Sequence, residues 1–443
     1  MKNVLFLMLC SFGISSLFAA TPVPASVTAS QSWTLSGSPY EVGSDVVIQN
    51  GVTITVEPGV VIQGSGNYKI TINGTMELLG SSAQPVHINS VTLYFDKKAT
   101  DYHPGTQTGC RILYSQFVPY NNSGGYCIQT AKTDLLISHC RFEKSNYPIY
   151  AMGNDTVKLW VRNCRILGGN SCYAVYGTYR GSYLELTDDT ITNLGYFYLG
   201  ETTVMRRNYL EGNTSSYGLY SQSITKKLVA ECNLFRKCNY GIYIYSLDPG
   251  FQSIRVNNNY FDSGNYCIYL QCKGLNPDSV VVHENHFSAK YKAIYLMSPT
   301  ASTAVRWDIG NNYWGTTDTN LVKSSIYDNR NSANIPFRSD FNTVLSSPPA
   351  ACWPVSAMAG LNPDPQRVVM QIYPNPVKGI ATLETDRQIF GTVFIADIQG
   401  RMIKKVPVTQ GKIQFSTLDL PAGTYLVTLA SAQGSSAAKL LVP

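Results

Sequence analysis

The sequence predicts an all-β protein in which a long domain of stacked repeat units precedes a small antiparallel β-sandwich. An apolar or aromatic residue recurs about every 25 residues between Phe117 and Trp314. Two further apolar columns recur in register with it, as expected when each unit must bury its face against its neighbours. Beyond a Pro-rich stretch the repeat is lost, and short alternating strands take its place.

Composition indicates a folded chain. Of 443 residues, 44% are hydrophobic and 14% are charged, and the formal net charge is +6. No Lys/Arg-rich run is present, so the sequence predicts no nucleic-acid surface.

Residues 1–20 have the order of a secretory signal peptide: Lys2, an apolar run from Val4 to Phe18, and Ala19-Ala20. The mature chain then begins near Thr21. No later stretch approaches about 18 uninterrupted apolar residues, so no membrane span is expected. The predicted location is extracellular or on the outer cell surface, reached through the periplasm.

Loss of Cys10 with the signal leaves ten cysteines in a chain that enters an oxidising compartment. The sequence does not decide between disulfide bridges and buried free thiols for these residues. The pairs closest in sequence or in the repeat are Cys232/Cys238, Cys267/Cys272 and Cys140/Cys164.

The N-terminal part alternates short apolar runs with Gly, Asn and Pro, which predicts brief strands and tight turns. Segments 55–62 (TVEPGVVI) and 70–75 (ITINGT) resemble the opening coils of right-handed parallel β-helix proteins. This resemblance implies a right-handed parallel β-helix over residues 21–343, with an N-terminal cap and a C-terminal end cap.

The central repeat can be counted from one large residue in each unit, here called the anchor. Successive anchors are 19 to 27 residues apart. They are Phe117, Phe142, Ile166, Ile191, Leu210, Phe235, Phe261, Phe287 and Trp314. The positions five and seven residues before each anchor are almost all apolar, which predicts strands with one buried face.

A second column predicts a bend. Two residues before the anchors stand Ser115, Cys140, Cys164, Asp189, Asn208, Asn233, Asn259, Asn285 and Asn312. Asn tolerates a left-handed backbone, and stacked amides can hydrogen bond along the column. The five asparagines resemble the asparagine ladder of parallel β-helices, which implies a structural role.

A further strand follows each anchor, centred on a residue expected in the core. These residues are Ile128, Ile149, Val175, Tyr198, Leu219, Ile242, Ile268 and Ile294. The next residue in each should point outward, which predicts a row of Tyr150, Tyr176, Leu199, Tyr220, Tyr243, Tyr269 and Tyr295. The tyrosines are candidate carbohydrate-binding residues, because a flat aromatic ring with a hydroxyl at its tip suits stacking on a sugar ring with hydrogen bonds at the edge. The alternative is that they only stabilise the sheet by stacking on one another, since rings packed this densely shield each other's faces.

Another outward row, four residues before the anchors, contains Arg206, Glu231 and His283, and the row two residues further back contains Arg255. These four residues are the candidate catalytic residues. Polysaccharide lyases of the pectate lyase-like superfamily use a basic residue near groups that neutralise a uronate, commonly with calcium. This chain has no Asp-rich cluster there, so exposed ion pairs are the favoured interpretation. No metal site or cofactor is predicted.

The repeat ends at Gly310–Gly315 (GNNYWG), a segment similar to the last coil of many secreted bacterial β-helix proteins. Residues 316–345 are expected to cap the end, and residues 344–367 form the predicted Pro-rich linker.

Residues 368–443 carry an ordered series of motifs: IYPNP, VFIAD, GR, LPAGTYLV and a final KLLVP. This series resembles the C-terminal sorting domain of proteins exported by the type IX secretion system of Bacteroidetes. The resemblance implies an export address and a contact with the secretion machinery.

Together these features predict an exported, non-catalytic protein that binds carbohydrate or acts as an adhesin-like element. The alternative is a polysaccharide lyase or glycoside hydrolase that works on the outward polar face. The coils are tight, which favours binding over catalysis because an enzyme needs loops that wall a groove.

Overall fold

The computed structural model describes residues 20–120, 125–152, 156–177, 181–198, 200–212, 215–222, 226–246, 253–272, 280–297, 305–335, 337–349, 352, 370–385, 391–397, 402–408, 412–431 and 434–443. The chain divides into two compact units, Met1–Val355 and Ser356–Pro443. The predicted signal peptide falls outside the described residues except at its last position, Ala20. In the described part, no helix has the length and apolar character needed to cross a membrane.

The first unit is built almost wholly of short strands. Its N-terminal strands are β1 Thr21–Pro22, β2 Ser26–Val27, β3 Gln31–Trp33, β4 Tyr40–Val42, β5 Val46–Ile48, β6 Thr53–Val56, β7 Val61–Ile72, β8 Thr75–Leu79 and β9 Val86–Phe95, with a 3-10 turn at Leu35–Gly37.

The central strands are β10 Arg111–Leu113, β11 Ser115–Val118, β12 Tyr126–Thr130, β13 Leu135–Ser138, β14 Arg141–Ser145, β15 Tyr147–Ala151, β16 Lys158–Arg162, β17 Arg165–Tyr173, β18 Val175–Tyr176, β19 Tyr183–Thr187, β20 Thr190–Tyr196, β21 Thr202–Arg206, β22 Tyr209–Gly212, β23 Tyr217–Gln222, β24 Lys227–Glu231, β25 Leu234–Arg236, β26 Tyr240–Ser246, β27 Ser253–Asn257, β28 Tyr260–Cys272, β29 Val280–His283, β30 His286–Met297 and β31 Val305–Asp308. The unit ends with α1 Thr319–Ser324, β32 Ile326–Tyr327 and β33 Phe337–Asp340.

These strands form a solenoid of parallel sheets. In the described part, an eleven-stranded sheet runs from β3 to β29, and each strand pairs with its equivalent in the next turn. We call it the flank sheet. A twenty-stranded sheet contains the other two strand segments of each turn, the anchor strand and the strand that follows it. This stacking confirms the predicted all-β fold and its repeats.

The anchors lie in register along the solenoid. Phe117 pairs with Phe142, and the pairing continues turn by turn to Phe287. The column five residues earlier pairs in the same way in the flank sheet, from Ile112 to Val282. Both columns are buried, because alternate residues of each strand point into one continuous apolar core.

The bend between flank sheet and anchor strand corrects one prediction. The left-handed residue is not the ladder residue but the one before it, as at Asn258 (φ 56°) before Asn259 and Glu284 (φ 57°) before Asn285. The same holds at Tyr114, His139, Asn163, Asp188, Arg207, Cys232 and Asn311. The turn is made by that outward residue, and the ladder side chain is left free to point inward.

The strand after the anchor corrects another prediction. Tyr198 forms a parallel bridge with Tyr220, which places it in the outward column, and the buried residue of this turn is Phe197. The prediction that Tyr198 lies in the core was therefore wrong by one residue. Leu199, predicted to point outward, lies outside the described residues.

The C-terminal end of the solenoid is covered by residues of α1 and the segments after it. Val322, Ile326 and Ile335 are buried in the same core as the coils. Buried Asp328 holds this region together, since it accepts hydrogen bonds from Arg330 (2.7 Å) and from the Ser339 backbone N–H (2.8 Å).

One disulfide is formed among the described residues. It joins Cys232 to Cys352, 120 residues apart, and so fixes a residue of the predicted linker to the solenoid. Cys140, Cys164, Cys238 and Cys267 are free, buried thiols, so the short-range bridges considered for them are not formed. The side chain of Cys272 lies outside the described part of the chain.

The second unit has two antiparallel sheets. Its strands are β34 Met370–Tyr373, β35 Ile380–Thr385, β36 Gly391–Asp397, β37 Met402–Val408, β38 Lys412–Ser416, β39 Gly423–Ser431 and β40 Gly434–Val442. The sheets are ordered β34-β35-β38 and β37-β36-β39-β40. Leu383 and Phe415 of the first share one core with Ile395 and Val427 of the second, as in a small sandwich.

Candidate functional site

The outward face of the strands after the anchors carries two parallel columns of tyrosines. Column one contains Tyr126, Tyr147, Tyr173, Tyr196, Tyr217, Tyr240 and Tyr266. Column two contains Tyr150, Tyr176, Tyr198, Tyr220, Tyr243, Tyr269, Tyr295 and Tyr327. We call the two columns together the tyrosine ridge. It includes every tyrosine predicted for the outward row.

Rings within a column stack on one another. Between Tyr147 and Tyr266 of column one, adjacent centroids are 4.7 to 5.3 Å apart and the planes differ by 3 to 18°. Column two is as regular from Tyr220 to Tyr327, with 4.3 to 5.4 Å and 5 to 20°. The turn-to-turn distance of a parallel sheet, about 4.8 Å, sets this spacing.

Tyr198 interrupts the stacking of column two. Its ring stands edge-on to both neighbours, at 90° to Tyr176 and 77° to Tyr220. It belongs to the shortest turn of the repeat, where the anchors Ile191 and Leu210 are 19 residues apart.

The two columns meet edge to face. From Tyr217 to Tyr295, contacts between columns have centroid distances of 5.1 to 5.7 Å and interplanar angles of 73 to 88°. This herringbone packing satisfies the preferred geometry of aromatic pairs. Away from Tyr198, the ring faces inside the ridge are covered by neighbouring rings, so ring edges and hydroxyls of these half-buried residues form its outer surface.

Several hydroxyls of the ridge have a raised pKa. Partial burial, and next the repulsion between neighbouring phenolates, raises the pKa of Tyr243 and of Tyr198 to about 12. The pKa of Tyr269 is raised for the same reasons. At neutral pH these groups are therefore hydrogen-bond donors and acceptors without charge.

Column one was missed in the sequence, although a signal for it is present. The spacing Y-x-x-Y occurs at Tyr147/Tyr150, Tyr173/Tyr176, Tyr217/Tyr220, Tyr240/Tyr243 and Tyr266/Tyr269. Strict alternation would place residues three apart on opposite faces. A buried small or branched pair lies between the two tyrosines of each motif, for example Gly241-Ile242, so both rings point outward.

The polar residues predicted as catalytic candidates lie on the outer face of the flank sheet. Arg206 and Glu231 are on adjacent turns, and the Arg206 Nε donates to Glu231 Oε2 at 3.0 Å. His283 is one turn beyond Asn257, and its Nε2 lies 4.0 Å from Asp308 Oδ2. Arg255 belongs to the neighbouring column, between Val229 and Val281, and is exposed.

Other charges on the solenoid surface are also paired. Arg111 contacts Glu77 (2.9 Å), Arg162 contacts Glu185 (2.6 Å) and Arg207 contacts Asp188 (2.7 Å). Across the described ranges, no three His, Cys, Asp or Glu residues are grouped so that they could hold a metal ion. The structure therefore brings Arg206 and Glu231 together as an ion pair and leaves Arg255 and His283 outside that pair.

The asparagines form a hydrogen-bonded column beneath this face. The Nδ2 group of each donates to the Oδ1 atom of the next, at 2.9 Å for Asn208 to Asn233 and 3.0 Å for each pair from Asn233 to Asn312. All five are buried. They are thus removed from any ligand at the surface.

Comparisons with known proteins identify both units. Residues 105–309 match the family described as "Right handed beta helix region", and residues 371–443 match the "Secretion system C-terminal sorting domain". No curated protein matches the chain.

Among solved structures, one similar chain is the tailspike protein gp49 from Acinetobacter baumannii bacteriophage Fri1, a capsular polysaccharide depolymerase. The identity is 11% and the TM-score 0.25, over 90% of this chain and 73% of the tailspike chain. A likeness at this level supports no inference about the present chain.

The sorting domain implies export across the outer membrane, followed by release or attachment to the surface, and a contact with the secretion machinery. The chain thus combines a right-handed β-helix region with a C-terminal sorting domain of the type IX secretion system.

Proposed function

We propose that this exported β-helix protein is a non-catalytic polysaccharide-binding protein, and that the tyrosine ridge is its binding surface. The observation that carries the proposal is the double column itself: fifteen half-buried tyrosines on one face of the solenoid. Large arrays of amphipathic aromatic groups at a surface are typical of interaction sites.

The mode of binding differs from stacking of sugars on ring faces. Because the faces are occupied by neighbouring rings, a ligand would contact ring edges and hydroxyls. Ring edges carry partial positive charge, and the hydroxyls donate or accept hydrogen bonds. Both suit the oxygen atoms of a polysaccharide.

The polar face supports a lyase or hydrolase less well. Glu231, a candidate acid or base, is held by Arg206, and both side chains are partly exposed. Ion pairs of this kind are common on protein surfaces and contribute about 0 to 1 kcal/mol each.

A pull-down tests the proposal. The full chain is incubated with insoluble neutral and uronic-acid polysaccharides, and both retained protein and released sugar products are measured. The triple variant Tyr240→Phe/Tyr243→Phe/Tyr266→Phe keeps the stacked rings and removes three hydroxyls. We expect retention without products for the native chain, and retention weaker by about tenfold or more for the variant.

The matched control is Tyr260→Phe/Tyr313→Phe. It removes two hydroxyls from half-buried tyrosines that each directly precede an anchor residue and lie outside the ridge. This control should bind like the native chain. Equal retention of the triple variant and the native chain would reject the ridge as the binding surface, and release of sugar products would reject the non-catalytic assignment.

A further inference from the structure

We infer that the ligand of the tyrosine ridge is an uncharged, extended polysaccharide that lies along the solenoid axis. This inference rests on the proposed function and specifies the class of ligand. Three features of the ridge carry it: its charge, the groups it exposes and its direction.

No member of either column is charged. Column two continues toward the N-terminus with Gln129, which is also neutral and pairs with Tyr150. Column one ends at Tyr266, and the residue paired with Tyr266 on the next turn is Lys292, whose ammonium group donates to the Ser324 carbonyl. A polyuronate would have to bring one carboxylate per sugar against this surface without a partner for each, and desolvating unpaired charges is costly.

The groups exposed by the ridge match a neutral ligand. Hydroxyls of raised pKa, such as that of Tyr243, stay protonated, so the tyrosine columns themselves carry no charge to attract or repel a ligand. Its contacts would be neutral hydrogen bonds, each contributing about 0.5 to 1.5 kcal/mol. Affinity would then come from many equivalent contacts and would depend little on salt, because screening acts on charges.

The direction of the ridge favours a linear chain. Column two has eight rings from Tyr150 to Tyr327, one on each turn. Seven intervals of about 4.8 Å give a length of about 34 Å. Neighbouring donors repeat at the spacing of the sheet, so an extended polymer gains a contact at each turn that it spans.

The experiment compares two sets of oligosaccharides of equal length and linkage: cello-oligosaccharides and their 6-carboxylate counterparts. Binding to the full chain is measured by titration calorimetry at about 0.05 M and about 0.5 M salt. We expect the neutral series to bind at least about tenfold more tightly, to change less than about twofold with salt, and to gain affinity with length up to about 34 Å.

The outcomes separate this inference from the proposed function. Tighter binding of the carboxylated series, weakened by salt and lost in the triple tyrosine variant, would overturn the uncharged ligand while leaving the ridge as a binding surface. An affinity that does not rise with length would overturn the axial orientation. Binding of neither series, together with no retention on any polysaccharide of the pull-down, would reject both.

Discussion

Asp189 is the ladder residue whose chemistry differs most from that of its neighbours. It is a buried carboxylic acid in a column that contains amides on one side and thiols on the other. Its carboxylate accepts hydrogen bonds from the N–H groups of Cys164 (2.7 Å) and Thr187 (3.1 Å). Burial nevertheless raises the pKa of Asp189 well above the ordinary value. The electrostatic effect of Cys164, the next largest cause, raises it further.

The raised pKa predicts how stability changes with pH. The native state holds the Asp189 proton more tightly than the unfolded chain, whose carboxyl group titrates near pH 3.9. The free energy of unfolding should therefore fall as pH rises above that value, until the native pKa is passed. The variant Asp189→Asn removes this dependence, and we expect it to be more stable by about 1 to 3 kcal/mol near pH 8 in urea unfolding.

The neighbouring Asp188→Asn is the matched control for this prediction. Asp188 is exposed and paired with Arg207, so its loss should cost about 0 to 1 kcal/mol and leave the pH dependence in place. If Asp189→Asn had the same pH dependence as the native chain, the assignment of a raised pKa to Asp189 would be wrong.

Glu231 provides a second prediction at this scale. Glu231→Gln breaks the exposed pair with Arg206, and we expect the free energy of unfolding to fall by no more than about 1 kcal/mol. Polysaccharide retention should stay unchanged, since the residue lies on the flank sheet and not on the ridge. A large loss of retention in the pull-down would move the binding surface to the polar face.

At the scale of elements, the columns could be predicted because each turn repeats the same buried positions. The anchors and the column five residues earlier needed only the rule that alternate strand residues are buried. The exceptions are local: Phe197 and Tyr198 lie in a turn of 19-residue spacing, where a count from neighbouring turns misplaces the core residue by one. Column one of the tyrosine ridge was not predicted, because two outward residues three positions apart do not fit the simple alternation of a strand.

The asparagine column should contribute strongly to stability. The Asn259 amide donates to the Ala230 carbonyl (2.7 Å) and to Asn285 Oδ1 (3.0 Å), and it accepts from Asn233. Asn259→Ala leaves several of these buried groups without a partner. We expect a loss of about 2 to 4 kcal/mol in urea unfolding, because each unsatisfied buried group costs about 1 to 3 kcal/mol.

Asn265→Ala, at an exposed position six residues later, is the control and should change stability by less than about 0.5 kcal/mol. Equal effects of the two substitutions would mean that the column adds nothing to the ordinary contribution of a surface asparagine.

At the scale of the whole molecule, the sequence predicted both units because each has its own periodicity and motifs. The disulfide between Cys232 and Cys352 was not predicted, since no local spacing relates residues 120 positions apart. Shielding of ring faces within one column could be expected from the dense row of tyrosines, but the edge-to-face contact with a second column could not, because it depends on side-chain orientation across turns. These contacts between turns are what changed the expected mode of binding from stacking to edge contact.

The sorting domain predicts the fate of the truncated protein. Deletion of residues 368–443 removes the matched domain and leaves the solenoid strands intact, so the shortened chain should fold and accumulate in the periplasm. Cell fractionation followed by immunoblotting measures how much of the shortened chain is in the periplasm and how much is outside the cell. Normal appearance of the shortened chain outside the cell would show that export uses another signal.

The central claim, that the tyrosine ridge binds an extended polysaccharide, is tested most directly by hydroxyl-radical footprinting of the full chain with and without bound glycan. Mass spectrometry then reports the oxidation of individual tyrosines. The proposal predicts that glycan protects the tyrosines of both columns, such as Tyr217, Tyr240 and Tyr243, while Tyr260 and Tyr313 are oxidised as before. Protection confined to the flank sheet, with the ridge unchanged, would contradict it.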